Sequence, residues 1–381
     1  MRRLTCWAGI VLLIVFEIAH VWFIMPLPGS QRLRSLDVAY ALHQARWVIR
    51  LVALALMVRG GSAAWRVGGW RRWLAPVGAV VAMAVVYATN VRMAADRVFR
   101  QPTRVVLRPA ASNAVARDRL VVGVVVNGQA RAYPLQYIGY HHQVRDTIGG
   151  EPVLVSYCTV CRTGRVFSPM VDGRVETFRL VGMDQFNAMF EDATTKSWWR
   201  QANGEAVAGG REGLRLRELP SVQVTLAQWL AIHPDALIMQ GDSTFVAEYA
   251  KDYAFERGTS RKALTGTDTV SWGEKAWVVG ITAGGASVAF DWNRLKRERV
   301  INAMVGATPV VLALRDDSAS FFAFERRDSV ETFVWRGDSL VSARGAYGVD
   351  GRGANGVLTP INASQEFWHS WRTFQPGTGK Y

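Results

Sequence analysis

Two cysteines stand two residues apart in "SYCTVCRTGRVF", residues 156 to 167, and the whole chain contains only one other, Cys6. Two sulfurs at this spacing can close a disulfide with little strain and exchange electrons with another dithiol. They can also ligate a soft metal or staple a turn. Upstream, in "GYHHQVRDTIGGEPVLVSYCTVC", one connector and one strand separate His141 and His142 from the cysteines. If that strand folds back, Cys158, Cys161, His141 and His142 make one of two centres. The first is a dithiol redox centre in which Cys158 attacks, Cys161 resolves and one histidine carries the proton, roles assigned by analogy with other Cys-x-x-Cys enzymes. The second is a Cys2His or Cys2His2 metal site, suited to copper, zinc or iron. Arg145, Arg162 and Arg165 would favour thiolate over thiol in either case.

A third reading makes the pair a structural staple. Structural zinc commonly takes four protein ligands in two spaced pairs, and no second cysteine pair exists. Tyr157, Arg162 and Arg165, with Trp198, Trp199 and Arg200 in "SWWRQANGEAVAG", are candidates to line a pocket beside the sulfurs. No Ser-His-Asp, HExxH or EF-hand signature accompanies them.

The elements that must hold these residues are short β-type runs. "LVVGVVV", the turn "NG" and "QARAYPL" form a hairpin signature, since Asn-Gly accepts the positive φ of a two-residue turn. The same pattern recurs 157 residues later, where "VVGVVVNGQARAYPLQ" at Val121 aligns without gaps with "VVGITAGGASVAFDWN" at Val278. "IGGEPVLV" then matches "VGATPVVL", Phe167 matches Phe324, and "WLAIHP" resembles "WRTFQP". The expectation is a β-rich α+β domain built from two internal repeats with pseudo-two-fold symmetry, residues 120–240 and 276–378, joined by a connector over 241–275. In this alignment Cys158 meets Arg315, Cys161 meets Ser318, and His141 and His142 meet Glu298 and Arg299. Only the first copy carries the candidate chemistry.

Ahead of the repeats the chain is basic and apolar. Of the formal charge of +14, the first 104 residues supply +11, from 14 arginines against Glu17, Asp37 and Asp96. No basic stripe interleaved with aromatics follows, which disfavours nucleic acid as a partner. Three stretches, 4–25, 35–58 and 73–91, are long and apolar enough to cross a bilayer core of roughly 30 Å, the middle one carrying more charge. The expectation is a three-helix membrane anchor over 1–91 and a juxtamembrane connector over 92–119. Arg2, Arg3, Arg59, Arg66, Arg71 and Arg72 place their flanks inside, with Arg32 and Arg34 as exceptions on the outer loop. That makes a multi-pass inner-membrane protein whose C-terminal domain is periplasmic and whose partners are the lipid bilayer and a redox partner or small substrate. Glu17 and His20 share a helical face and could with His43 form a haem or proton site, against the simpler reading of helix packing.

Taken together, "VVGVVVNGQARAYPL", "HHQVRDTIGGEPVLVSYCTVCRTGRVF", "SWWRQANGEAVAG" and the tail "FWHSWRTFQP" resemble the DUF3179 family over roughly residues 118–378. The anchor resembles that of a membrane-bound subset. The family has no established activity, but it includes members with selenocysteine in the cysteine motif. The resemblance therefore implies redox or catalytic chemistry at Cys158/Cys161 as a unit, with His141 or His142 at the family's histidine position. It leaves the cofactor unspecified and allows a transition metal.

Overall fold

A computed structural model describes residues 2–33, 35–66 and 69–381; Arg34, one of the charges flanking the spans, lies outside the described residues. The chain divides into two compact units. The first comprises residues 1–100, 178–199 and 206–213, and the second residues 101–177, 200–205 and 214–381.

Three helices dominate the first unit: α1 (Arg2–Ile24), α2 (Leu36–Trp65) and α3 (Leu74–Tyr87), the last continued by a π-helical turn over Ala88–Arg92. The stretches Leu4–Ile24, Leu36–Trp65 and Trp70–Arg92 are long and apolar enough to cross a membrane. Their contacts use small residues, which let helix backbones approach closely. Gly9 sits against the backbone of Ala53, and Ala53, Ala64, Ala75 and Ala82 are buried with Cys6, Ile10 and Leu13. Val11, Val15, Leu51, Leu54, Val77 and Val80 face outward. A four-stranded sheet (Phe178–Asp184, Asn187–Asp192, Trp198–Arg200 and Ala206–Ala208), its two outer pairs antiparallel, completes this unit, all but Arg200 belonging to it. Its Val181, Met189, Trp198 and Ala208 pack on Ile24 and Ala39.

In the second unit the expected hairpin forms as β1 (Leu120–Val126) and β2 (Gln129–Pro134), with Asn127 and Gly128 at φ 49° and 77°. Then follow α4 (Leu135–His141), β3 (Gln143–Ile148), β4 (Glu151–Cys158) and β5 (Thr163–Phe167), and later β6 (Ser221–Thr225), α5 (Leu226–Ile232) and β7 (Leu237–Gln240). Further along come β8 (Trp277–Ala283), β9 (Ala286–Asp291), α6 (Trp292–Glu298), β10 (Val300–Val305), β11 (Thr308–Leu314) and β12 (Phe321–Glu325), then β13 (Ala363–Phe367), α7 (Trp368–Phe374) and β14 (Gly379–Lys380).

Strands β6, β1, β2 and β7 lie side by side, extended at one edge by Val106–Arg108, and β13, β8, β9 and β14 form a second sheet. The pairs β2–β7 and β9–β14 are parallel and the others antiparallel. Strands β3, β4 and β5 make a three-stranded sheet, and β10, β11 and β12 another with the edge strand Thr359–Pro360. The central strands β4 and β11 carry near-continuous apolar runs, "VLV" and "VVLAL", because both their faces are covered. One core cluster joins Val121, Val224, Trp229 and Ile238 to Val311, Phe322 and Phe324.

Candidate functional site

The site is built on the hairpin between β4 and β5. Cys158 ends β4 opposite Thr163, the first residue of β5, so Cys161 lies in the connecting turn. Arg162 closes that turn at φ 57°. The two cysteines lie near each other and both are fully buried.

The histidines arrive from the other side of the same sheet. α4 ends at His141, and His142, at φ 60°, turns the chain into β3. Gln143 then pairs with Ser156, and the Tyr157 N–H donates to the His142 carbonyl at 3.0 Å. His142 thus stands across from Tyr157, the neighbour of Cys158. Its Nδ1 lies 3.1 Å from the Tyr140 carbonyl, which can only accept, so Nδ1 carries the proton and Nε2 is the basic nitrogen. Burial lowers this imidazole to about 4, outweighing the hydrogen bond that favours its protonation. His141 Nε2 is 2.8 Å from the Tyr249 hydroxyl, which accepts from the Asp242 N–H at 3.0 Å and is pushed up to about 12 by burial.

A third histidine belongs to this turn. His369 on α7 donates from Nε2 to the carbonyl of Val160, between the two cysteines, at 3.1 Å. Burial lowers this imidazole as well. The Phe367 N–H donates to the Cys161 carbonyl at 2.9 Å, and the Ser370 and Thr163 hydroxyls are 3.4 Å apart. The tail motif "FWHSW" thus grips the turn through three contacts, from Phe367, His369 and Ser370. Sequence reasoning missed His369 because the only signal was a histidine in a motif far along the chain.

The arginines are placed differently from one another. Arg162 is buried and bonded to Gln365 and to the Phe255 and Glu256 carbonyls, with its guanidinium 3.6 Å from the Trp277 ring centroid. Arg165 is ion-paired with buried Glu366 and donates to the Ala202 carbonyl. Arg145 is exposed. Arg162 and Arg165 line cavities of about 430 Å³ and about 330 Å³ respectively. Tyr157 is buried with its hydroxyl lacking a hydrogen-bond partner, and burial pushes that hydroxyl up.

Of the other pocket candidates, Arg200 belongs to the second unit, where its guanidinium lies 5.6 Å from the Phe374 ring. Trp198 and Trp199 belong to the first unit, with their indole N–H groups on Glu191 and Asp192. Among the described residues, no three His, Cys, Asp or Glu side chains cluster so as to hold a metal ion.

These features define a β-rich α+β domain with an enclosed Cys-x-x-Cys turn, preceded by apolar helices of membrane-spanning length. The chain belongs to the family described as protein of unknown function (DUF3179), whose profile matches residues 101–378. No curated protein and no solved structure matches it.

Proposed function

We propose that the protein is a membrane-anchored thiol oxidoreductase whose C-terminal domain works on the extracytoplasmic side of the membrane. The observation that carries this reading is the turn itself: two cysteines in one hairpin, with His142 on the neighbouring strand end across from Tyr157 and His369 donating to the Val160 carbonyl, both of them imidazoles that burial keeps neutral. In the forward step the Cys158 thiol gives its proton to an imidazole, and the thiolate attacks a disulfide of the partner. A mixed disulfide forms as the partner's other sulfur leaves as thiolate. Cys161, deprotonated in turn, displaces the partner's first sulfur, so the protein ends as a disulfide and the partner as a dithiol. Both sulfurs are enclosed, so the reaction includes release of the turn from α7.

We read the second unit as two copies of one fold, and paired details support this. The Tyr157 to His142 backbone bond has a counterpart in Leu314 to Arg299, and His142 and Arg299 share a positive φ. α5 reaches the turn before β12 as α7 reaches the cysteine turn: the Thr225 N–H donates to Ser320 Oγ at 2.9 Å. In this reading the turn before β12 keeps the architecture without sulfur.

The test is a redox titration of the full chain in detergent against glutathione buffers, followed by acid quench and thiol counting. A reversible two-electron couple lost in both Cys158→Ser and Cys161→Ser is expected. Stoichiometric metal in anaerobically purified protein, lost in Cys158→Ser, would establish the metal site instead. A disulfide that none of the buffers reduces, with a lowered melting temperature in both variants, would leave only a staple.

A further inference from the structure

Ionisable groups among apolar helices are costly and are kept where they bind or move an ion. In the first unit α1 and α2 bring His20 and His43 together, Nε2 to Nδ1 at 3.2 Å. The other nitrogen of His43, Nε2, lies 2.8 Å from Oε2 of Glu191, on the inserted sheet. Glu191 is buried, which by itself would raise its acid. The His43 hydrogen bond and the Arg179 guanidinium, at 2.7 and 2.9 Å, hold it instead at about 2, and the Trp198 indole adds a donor at 3.2 Å.

A carboxylate only accepts, so every proton position follows from it. His43 carries its proton at Nε2 and accepts at Nδ1, so His20 donates from Nε2. What remains is the lone pair on His20 Nδ1, and that atom is buried without a hydrogen-bond partner. Glu17, one turn away, is not its donor: Arg50, Asn90 and Thr89 hold both its oxygens.

We infer that His20, His43 and Glu191 form a proton-transfer site, with His20 Nδ1 as the receiving atom. A proton bound there sends the Nε2 proton of His20 to Nδ1 of His43, and the Nε2 proton of His43 passes to Glu191. One proton enters and one reaches the carboxylate, no electron moves, and both rings end protonated at Nδ1. The weakly basic carboxylate releases the proton beside Arg179, which is 39% exposed and also faces Asp96. The pair holds one added proton, because two imidazolium rings at this separation repel strongly. The charged groups facing it are Glu17 on α1, Arg46 and Arg50 on α2, and Glu191 and Arg179 on the sheet.

The test uses ¹⁵N-histidine-labelled full chain in lipid nanodiscs, titrated by NMR. Expected are His43 as the Nε2–H tautomer and uptake of one proton by the pair. His20→Gln should abolish that uptake while leaving the His43 tautomer in place, since the amide still donates to Nδ1. Glu191→Gln should weaken proton binding at least about tenfold. Wild-type His43 found as the Nδ1–H tautomer overturns the inference without any variant. So does independent uptake of two protons, or affinity unchanged in a folded Glu191→Gln protein.

Discussion

His142 is buried with its Nδ1 proton on the Tyr140 carbonyl, and its folded value near 4 lies below the ordinary imidazole value of about 6.5. As pH falls, the unfolded chain therefore binds the proton first. Stability is complete above about pH 6.5 and is lost progressively towards pH 4, by up to about 3 kcal/mol for this one group. His369 shifts in the same direction. Melting temperatures of the full chain between pH 7.5 and 5 should fall with pH, and His142→Asn, which tolerates the positive φ, should flatten that slope. An unchanged slope in the variant would show that other groups set it. The cysteine pair and His142 were legible at this scale because one strand separates them. His369 was not: it is 209 positions from its Val160 partner, a distance that only the closed fold spans. Nor does sequence reveal that Arg162, beside the sulfurs, is spent on Trp277 and two carbonyls.

Helices and strands in the second unit meet through matched close contacts. The Trp229 ring of α5 lies flat on Gly123 of β1, and the Trp371 ring of α7 lies flat on Gly280 of β8. Neither glycine needs an unusual φ; each is required because a Cβ would enter the indole. Gly123→Ala and Gly280→Ala should each destabilise by about 1–3 kcal/mol, the usual cost of overpacking. Gly210→Ala, with nothing within 4 Å of the new methyl, serves as the control. Equal denaturation midpoints for all three would refute the packing argument. The hairpin turn and the apolar strands were readable from local pattern; the short helices that follow β2 and β6 were not. What local pattern does not encode is membership: "FRLVGMD" alternates like its neighbours, yet it packs with α1 and α2 because Val181 finds Ile24 and Ala39 there.

For the molecule as a whole, arginine placement and three helices of spanning length set the expected sidedness. Alkaline phosphatase fused after Tyr381 should be active in a Gram-negative host, and green fluorescent protein at the same place dark. The opposite pattern would put the cysteine domain in the cytoplasm and remove the extracytoplasmic part of the proposal. The grip of α7 on the cysteine turn also imposes an order of events. Chains emerge from the ribosome N-terminus first, so Cys158 and Cys161 are made long before Phe367 and His369 exist to cover them. During that interval the nascent sulfurs meet whatever oxidant or metal surrounds them, before Phe367 and His369 enclose the turn.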